Sequence, residues 1–281
     1  MSVRRGLPRF IRLARREFLV NWEVRRRDVL SRPKYIPDKA PVRVWIISLA
    51  RTPARKLATV RSLKKYGISF SVYDAVDGLN ELNQSEVLRY AGNKKQQRMG
   101  LTWSTQTMQL HEYRVDQLTG KTARRRESKT AIFVHERLRF GCYMSHVHVW
   151  RSVVFENIPL LVILEDDVEL EHTFSSSLQS VLSQLPDNWG ALYLGGCFRK
   201  LGSKLGDRLY LSRGGLCTHG YVISKLGASV LLNGPAIQSN EPVDHMMDRA
   251  VVSGILLAFH VEPPLVKVLS KRSTLAYTET L

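Results

Sequence analysis

Three consecutive segments leave this chain few folds to adopt: "VRVWIISL" (42–49), "TPARKLATVRSLKKYG" (52–67) and "ISFSVYDAVDG" (68–78). The first and third are short β-branched and aromatic runs. Between them, Thr52 as N-cap, Pro53 at the first helical position and Gly67 as a stop bracket a predicted helix. Strand, helix and strand within about 35 residues make a βαβ unit, whose strands run parallel because the helix carries the chain back. The alternation continues. "GCYMSHVHVWRSVVFEN" reads as a helix, "LLVIL" and "ALYLGG" as buried strands, and "GYVIS" as a strand ahead of a helix starting near Lys225. This predicts an α/β fold with a mostly parallel central sheet.

At 281 residues the chain can bury a full core, and 44% hydrophobic content fits a globular protein. Its longest apolar runs, such as "PLLVIL" and "GILLAF", are far shorter than the ~20 residues that span a bilayer. Net charge is +17, unevenly spread. Residues 1–40 hold 12 Lys/Arg against 4 Asp/Glu, residues 92–139 hold 11 against 4, and the rest sums to +2. The basicity therefore belongs to two appendages, and no specific nucleic-acid partner is expected for the body. In the first appendage Phe10, Ile11, Ala14, Phe18 and Trp22 form an apolar stripe rimmed by arginine. Such a helix suits an anionic membrane surface or a face of its own domain. "SRPKYIPDKAP" breaks it with three prolines, so 1–40 reads as leader and linker, and 41–281 as the main domain with a basic, aperiodic insertion at 92–139. Cys142, Cys197 and Cys217 form no CxxC pair and predict a reduced protein without structural disulfides.

"LVILEDDVEL" (161–170) poses the chemical question. Carboxylates crowded at the end of so apolar a strand repel one another and hydrate poorly. On an extended chain Glu165 and Asp167 point one way and Asp166 the other. Two carboxylates at a strand end suit a hard divalent cation that stays open to a substrate phosphate; the plain alternative is a solvated acidic turn.

"VWIISLARTPARKLATVRSLKKYGISFSVYDAVDG", "GCYMSHVHVWRSVVFENIPLLVILEDDVEL", "THGYVISKLGASVLL" and "EPVDHMMDR" resemble, in order, the blocks of glycosyltransferase family 25. This is the family of bacterial lipopolysaccharide β-galactosyltransferases and, more distantly, of collagen galactosyltransferases. The resemblance runs from about residue 42 to 269, apart from the insertion. It implies a GT-A-type nucleotide-sugar-binding fold, a DxD-like motif holding Mn2+ (or Mg2+) against the diphosphate of a UDP-sugar, and transfer to a glycan or lipid-linked glycan acceptor with inversion. On that reading Glu165 and Asp167 are metal ligands, with Asp166 beside them at the donor. Arg51 and Arg55 face the diphosphate or are solvated, and Asp77, with Asp74 near it, accepts from ribose hydroxyls or makes a turn. His146 becomes a substrate contact and His219 a donor or metal contact, while His148 is turned away. Asp244 is the base that takes the acceptor's proton, a metal ligand, or a first-turn acid behind Pro242.

Two other classes compete. A metal-dependent hydrolase also clusters acids, and a polyanion- or membrane-binding module could keep a degenerate transferase fold. "LAYTETL" carries no ER-retention signal and the start no signal peptide, so the expected location is the cytoplasm, at the inner face of a bacterial membrane.

Overall fold

The computed structural model describes residues 42–82, 113–115, 122–124, 129–234 and 241–269. The leader at 1–40 and most of the 92–139 insertion lie outside them. Strands β1 (Arg43–Ser48), β2 (Ser71–Asp74), β5 (Leu160–Glu165), β7 (Ala191–Tyr193), β8 (Leu201–Lys204), β9 (Leu209–Ser212), β10 (Gly220–Ser224) and β11 (Ala258–Val261) form one sheet. Its order is β2-β1-β5-β10-β7-β11-β9-β8. Followed through the pairings, six strands run one way, while β10 and β9 run against them. Two small pairs stand apart, β3 (Tyr113–Val115) with β4 (Thr122–Arg124) and β6 (Val168–Leu170) with β12 (Val266–Val268).

The expected βαβ unit is present, with β1 and β2 parallel and helix α1 (Lys56–Lys65) between them. Gly67 ends the helix at φ +65, a conformation that costs a side chain with a Cβ, and the Ile68 N–H closes back on the Leu63 carbonyl. The start differs from expectation. The Thr52 hydroxyl caps no helix N–H and donates instead to the Leu49 carbonyl, while the Thr52 carbonyl accepts the Arg55 N–H in a turn over residues 53–55, so regular helix begins at Lys56. Helix α2 (Lys129–Phe155) also begins earlier than its block suggested, because residues 129–139 continue it into the span expected to be aperiodic.

Strand alternation sorts the core onto two faces. Val44, Ile46, Val162 and Leu164 pack with Leu63 of α1 and with Phe174, Leu178 and Val181 of α3 (Phe174–Leu182). Ile47, Leu161, Ile163, Tyr193 and Tyr221 pack on the other face with Val147 and Trp150 of α2, Leu231 of α4 (Lys225–Asn233) and Met246 of α5 (Val243–Val252). The sheet is thus covered on both sides, which is why β5 reads as a continuous apolar run; each such side chain contributes about 1.5–3 kcal/mol on burial. Helix α2 crosses the loop after β2 at two glycines. A Cβ on Gly78 would meet the Arg137 carbonyl at 1.9 Å, and one on Gly141 the Val76 oxygen at 2.7 Å. Among the described residues no helix is long and apolar enough to cross a membrane.

Candidate active site

Antiparallel β10 lies between β5 and β7, with Gly220 opposite Leu164. That register sets the start of β10, and with it Thr218 and His219, beside the carboxyl end of β5. The Glu165 N–H donates to the His219 carbonyl at 3.0 Å, and the Thr218 hydroxyl donates to Glu165 Oε1 at 2.9 Å. Ser48, at the end of β1, comes in from the other side.

The three acids do not alternate as a continued strand would. β5 stops at Glu165, and Asp166 and Asp167 turn the chain into β6. Helix α1 fixes that turn: Thr59 Oγ1 both donates to the Val168 carbonyl (2.9 Å) and accepts the Val168 N–H (3.0 Å). Asp166 and Asp167 therefore share Arg55, whose guanidinium lies 2.9 Å from Asp166 Oδ1 and 3.0 Å from Asp167 Oδ2. Asp166 Oδ2 accepts the Ser48 hydroxyl at 3.0 Å. Asp166 is thus fully engaged within the protein, whereas Asp167 Oδ1 is buried without a hydrogen-bond partner.

Charge is short here. Burial, then Asp167, pushes the Glu165 carboxyl up to about 7, against the Thr218 hydrogen bond. Burial also raises Asp167, although Arg55 opposes it. Asp167 acts on Glu165 more strongly than Asp166 does, so the pair expected to face one cation still shares one field. Glu165 keeps 31% of its side-chain surface, so it stays reachable from solvent although protein crowds it. A hard divalent cation fits this donor set: an unpartnered carboxylate oxygen on Asp167 beside an under-compensated glutamate.

Below Glu165 lies a polar chain that the sequence did not reveal. The Trp150 indole N–H donates to the Tyr221 hydroxyl at 2.9 Å, and that hydroxyl lies 2.8 Å from His146 Nδ1. With one proton to give, Tyr221 donates it to Nδ1. This assignment follows from the network and leaves the ring proton on Nε2, which is 3.9 Å from Glu165 Oε1. His146 and Trp150 share a helix face as expected. However, His146 is 1% exposed and lies beneath Glu165 rather than at the surface. Burial lowers its pKa to about 3, so the ring is neutral. Cys142, one turn before His146, is exposed as a residue, yet burial of its thiol, then the fields of Glu165 and Asp244, push its pKa up.

Asp244 occupies the first turn of α5 behind Pro242, as expected. Its Oδ2 accepts the Cys217 N–H at 3.1 Å and its Oδ1 the His245 N–H at 2.9 Å. Cys217 has φ +71, and the loop it belongs to spans from Asp244 to Thr218 and Glu165. Asp248, one turn on, accepts the Gly215 N–H at 2.8 Å and pairs with Lys200. Tyr193 ends β7 within the fields of both aspartates, its buried hydroxyl without a partner.

Arg51 and Arg55 lie in the turns ahead of α1, not on one helix face, and each is paired with carboxylates of the protein. Arg51 donates to Asp77 Oδ2 at 2.7 Å, and Asp77 also accepts from the Asn80 side chain and the Leu79 N–H. Asp77 is thereby the organiser of its own turn. Asp74 ends β2 at the sheet edge, and His148 is half-buried, away from this network. His219 is buried, its pKa lowered to about 4 by burial and then by Arg199. The expectation of three free thiols fails: Cys197 and Cys217 form a disulfide. They are 20 residues apart, but β7 and β10 are neighbours in the sheet, so the loop leaving one meets the loop entering the other. Of the three, Cys142 remains free. Thr218 and Tyr221 were missed. Thr218 adjoins a singled-out histidine, while nothing in "GYVIS" distinguishes a buried network tyrosine from a core one.

The family model "Glycosyltransferase family 25 (LPS biosynthesis protein)" matches residues 42–247. Procollagen galactosyltransferase 1-B of Xenopus laevis is 30% identical over 252 residues, 82% of this chain and 36% of the relative. Procollagen galactosyltransferase 2 of Homo sapiens is 26% identical over 226 residues, 76% of this chain and 31% of the relative. The inactive glycosyltransferase 25 family member 3 of Mus musculus is 28% identical over 225 residues, 76% of this chain and 33% of the relative. The chain thus spans about a third of the length of these curated relatives. Among solved structures, a glycosyltransferase involved in the glycosylation of the major capsid of PBCV-1 aligns with a TM-score of 0.37 at 9% identity, over 83% of this chain and 95% of that one.

Proposed function

This chain belongs to glycosyltransferase family 25, and on that premise we propose that it transfers galactose from a UDP-sugar to a glycan acceptor, inverting the anomeric carbon, with Mn2+ or Mg2+ held by Glu165 and Asp167. The observation that carries the reading is Asp167 Oδ1, buried and unpartnered beside a glutamate that lacks counter-charge. A bound divalent ion would neutralise the charge that builds on the diphosphate as the sugar departs.

The protein's own groups divide the remaining work. Arg55 holds Asp166 and Asp167 in one orientation, and Ser48 fixes Asp166 so that it cannot swing into the site. Thr218 holds Glu165 by a hydrogen bond to Oε1, and the Tyr221–His146 pair keeps a neutral imidazole 3.9 Å from the same oxygen. Asp244, oriented by two backbone N–H groups, accepts the proton of the acceptor hydroxyl, because direct displacement with inversion needs one base. The acceptor is a cell-surface glycan such as lipopolysaccharide in this reading; the names of the relatives make collagen the comparison acceptor.

A second reading, binding without turnover, is favoured by one observation: the Arg55 guanidinium already neutralises much of the acidic set without a metal. UDP release, screened over several UDP-sugars with and without Mn2+ and with lipopolysaccharide-type and collagen-type acceptors, separates the two. Release that requires both metal and acceptor supports transfer. Binding of UDP-sugars with no release under any condition returns the second reading, and release without acceptor favours hydrolysis.

A further inference from the structure

We propose that reduction of the Cys197–Cys217 bridge uncovers a cysteine–cysteine–histidine site, completed by His219, that takes a soft divalent metal ion of the Zn2+ class. The two sulfurs and a ring nitrogen of His219 all lie within 4.8 Å of one another. A tetrahedral ion with bonds of about 2.3 Å to sulfur and about 2.0 Å to nitrogen needs its ligand atoms roughly 3.5–3.8 Å apart. Once the S–S bond opens, side-chain rotation therefore suffices to reach that spacing. Three protein ligands leave a fourth position for water or an exchangeable group.

The surroundings favour such a site. His219 makes no side-chain hydrogen bond among the described residues, so a metal displaces no existing partner. Its ring lies against the Gly195 backbone, where an added Cβ would come within 2.6 Å of Nε2; residue 195 must stay glycine for the imidazole to remain there. Cys197 is exposed and Cys217 half-buried, which gives a thiol reductant and then an ion a way in. The nearby cation, Arg199, is paired with Glu262. Two thiolates balance the charge of the ion. Thiolate and imidazole ligands also separate this site from the oxygen donors of Glu165 and Asp167, which suit Mn2+ or Mg2+.

The chemistry balances with a dithiol as the reductant. The dithiol gives two electrons and two protons to the bridge and closes its own disulfide, leaving two cysteine thiols. The ion then displaces both thiol protons. Disulfide and metal are alternative occupants of one place, and both act on the loop that carries the Cys217 N–H to Asp244 and the Thr218 hydroxyl to Glu165.

Titrating the full chain with Co2+ after reduction and anaerobic removal of the reductant tests this. Reduced protein should show a thiolate-to-cobalt charge-transfer band that saturates at one ion per chain and is displaced by Zn2+; oxidised protein should show none. Cys142→Ser and Asp167→Asn should keep the band, since neither residue contributes a ligand. Cys197→Ser should lose it, and His219→Ala should weaken Co2+ binding beyond the ~10–100-fold that even an outer-shell partner costs. No band in wild-type protein whose three thiols are shown to be free overturns the proposal, as does a band that survives Cys197→Ser. If that variant fails to fold, the oxidised and reduced wild-type forms decide.

Discussion

Replacing Glu165 by glutamine in metal-free protein should stabilise the fold, and by an amount that depends on pH. Glutamine keeps an oxygen for the Thr218 hydroxyl and removes the charge. The Glu165 carboxyl titrates at about 7 in the fold, chiefly through burial, against about 4.3 in an unfolded chain. A raised carboxyl pKa means that the folded state binds more protons than the unfolded state between those two values. Stability therefore falls as pH rises through this window, and the full penalty stands above 7. The difference corresponds to roughly 3–4 kcal/mol at most. Water reaching a side chain that is 31% exposed trims this to about 2 kcal/mol. Buried His146, His219 and His260, held neutral with pKa values of about 3, 4 and 4, act in the opposite sense, removing stability as pH drops below about 6.5. They are present in both proteins and largely cancel in the difference. Urea denaturation in EDTA at pH 4.5, 6 and 8 measures it. Glu165→Gln should match wild type at pH 4.5 and exceed it by about 2 kcal/mol at pH 8. A variant less stable than wild type at pH 8, or a gap that ignores pH, refutes the claim that this carboxylate lacks counter-charge.

Asp244→Asn should slow turnover by ~10²–10⁴-fold with donor affinity held, as measured by kcat and by UDP-sugar KM. Its melting temperature should drop modestly, because both Asp244 oxygens accept backbone N–H groups and an amide can replace only one acceptor. Tyr221→Phe strands the Trp150 indole N–H in the core and should cost about 1–3 kcal/mol in a denaturation titration. Gly78→Ala drives a Cβ into the backbone of α2 and should cost about 1–3 kcal/mol or more, with the loop carrying Asp77 displaced; wild-type stability in that variant would contradict the crossing.

The scaffold was legible because its signals are local. The apolar run of β5, the glycine stop of α1 and the Pro242 start of α5 each depend on a few neighbouring residues, and each is present. The position of the acids at the end of β5 was legible for the same reason. Their orientation was not, because alternation holds only while a strand continues, and this one turns at Asp166. Arg55 turning inward depends on β1 pairing parallel with β5, while Thr218 meeting Glu165 and the Cys197–Cys217 bridge depend on β10 inserting antiparallel beside β5 and β7. That choice of neighbour is made by the whole sheet. His146 stands out in the sequence as a histidine on an apolar helix face, but its burial against Tyr221, 75 residues away, is not legible there.

The central claim is that Glu165 and Asp167 hold the cation on which sugar transfer depends. Initial rates of transfer from a UDP-sugar, measured across a Mn2+ titration for wild type and for Asp167→Asn, test it directly. Wild-type transfer should saturate with Mn2+ and vanish in excess EDTA, while Asp167→Asn should stay near background until the metal concentration is raised far above the wild-type range. Undiminished wild-type transfer in EDTA, or one Mn2+ dependence shared by both proteins, would contradict it.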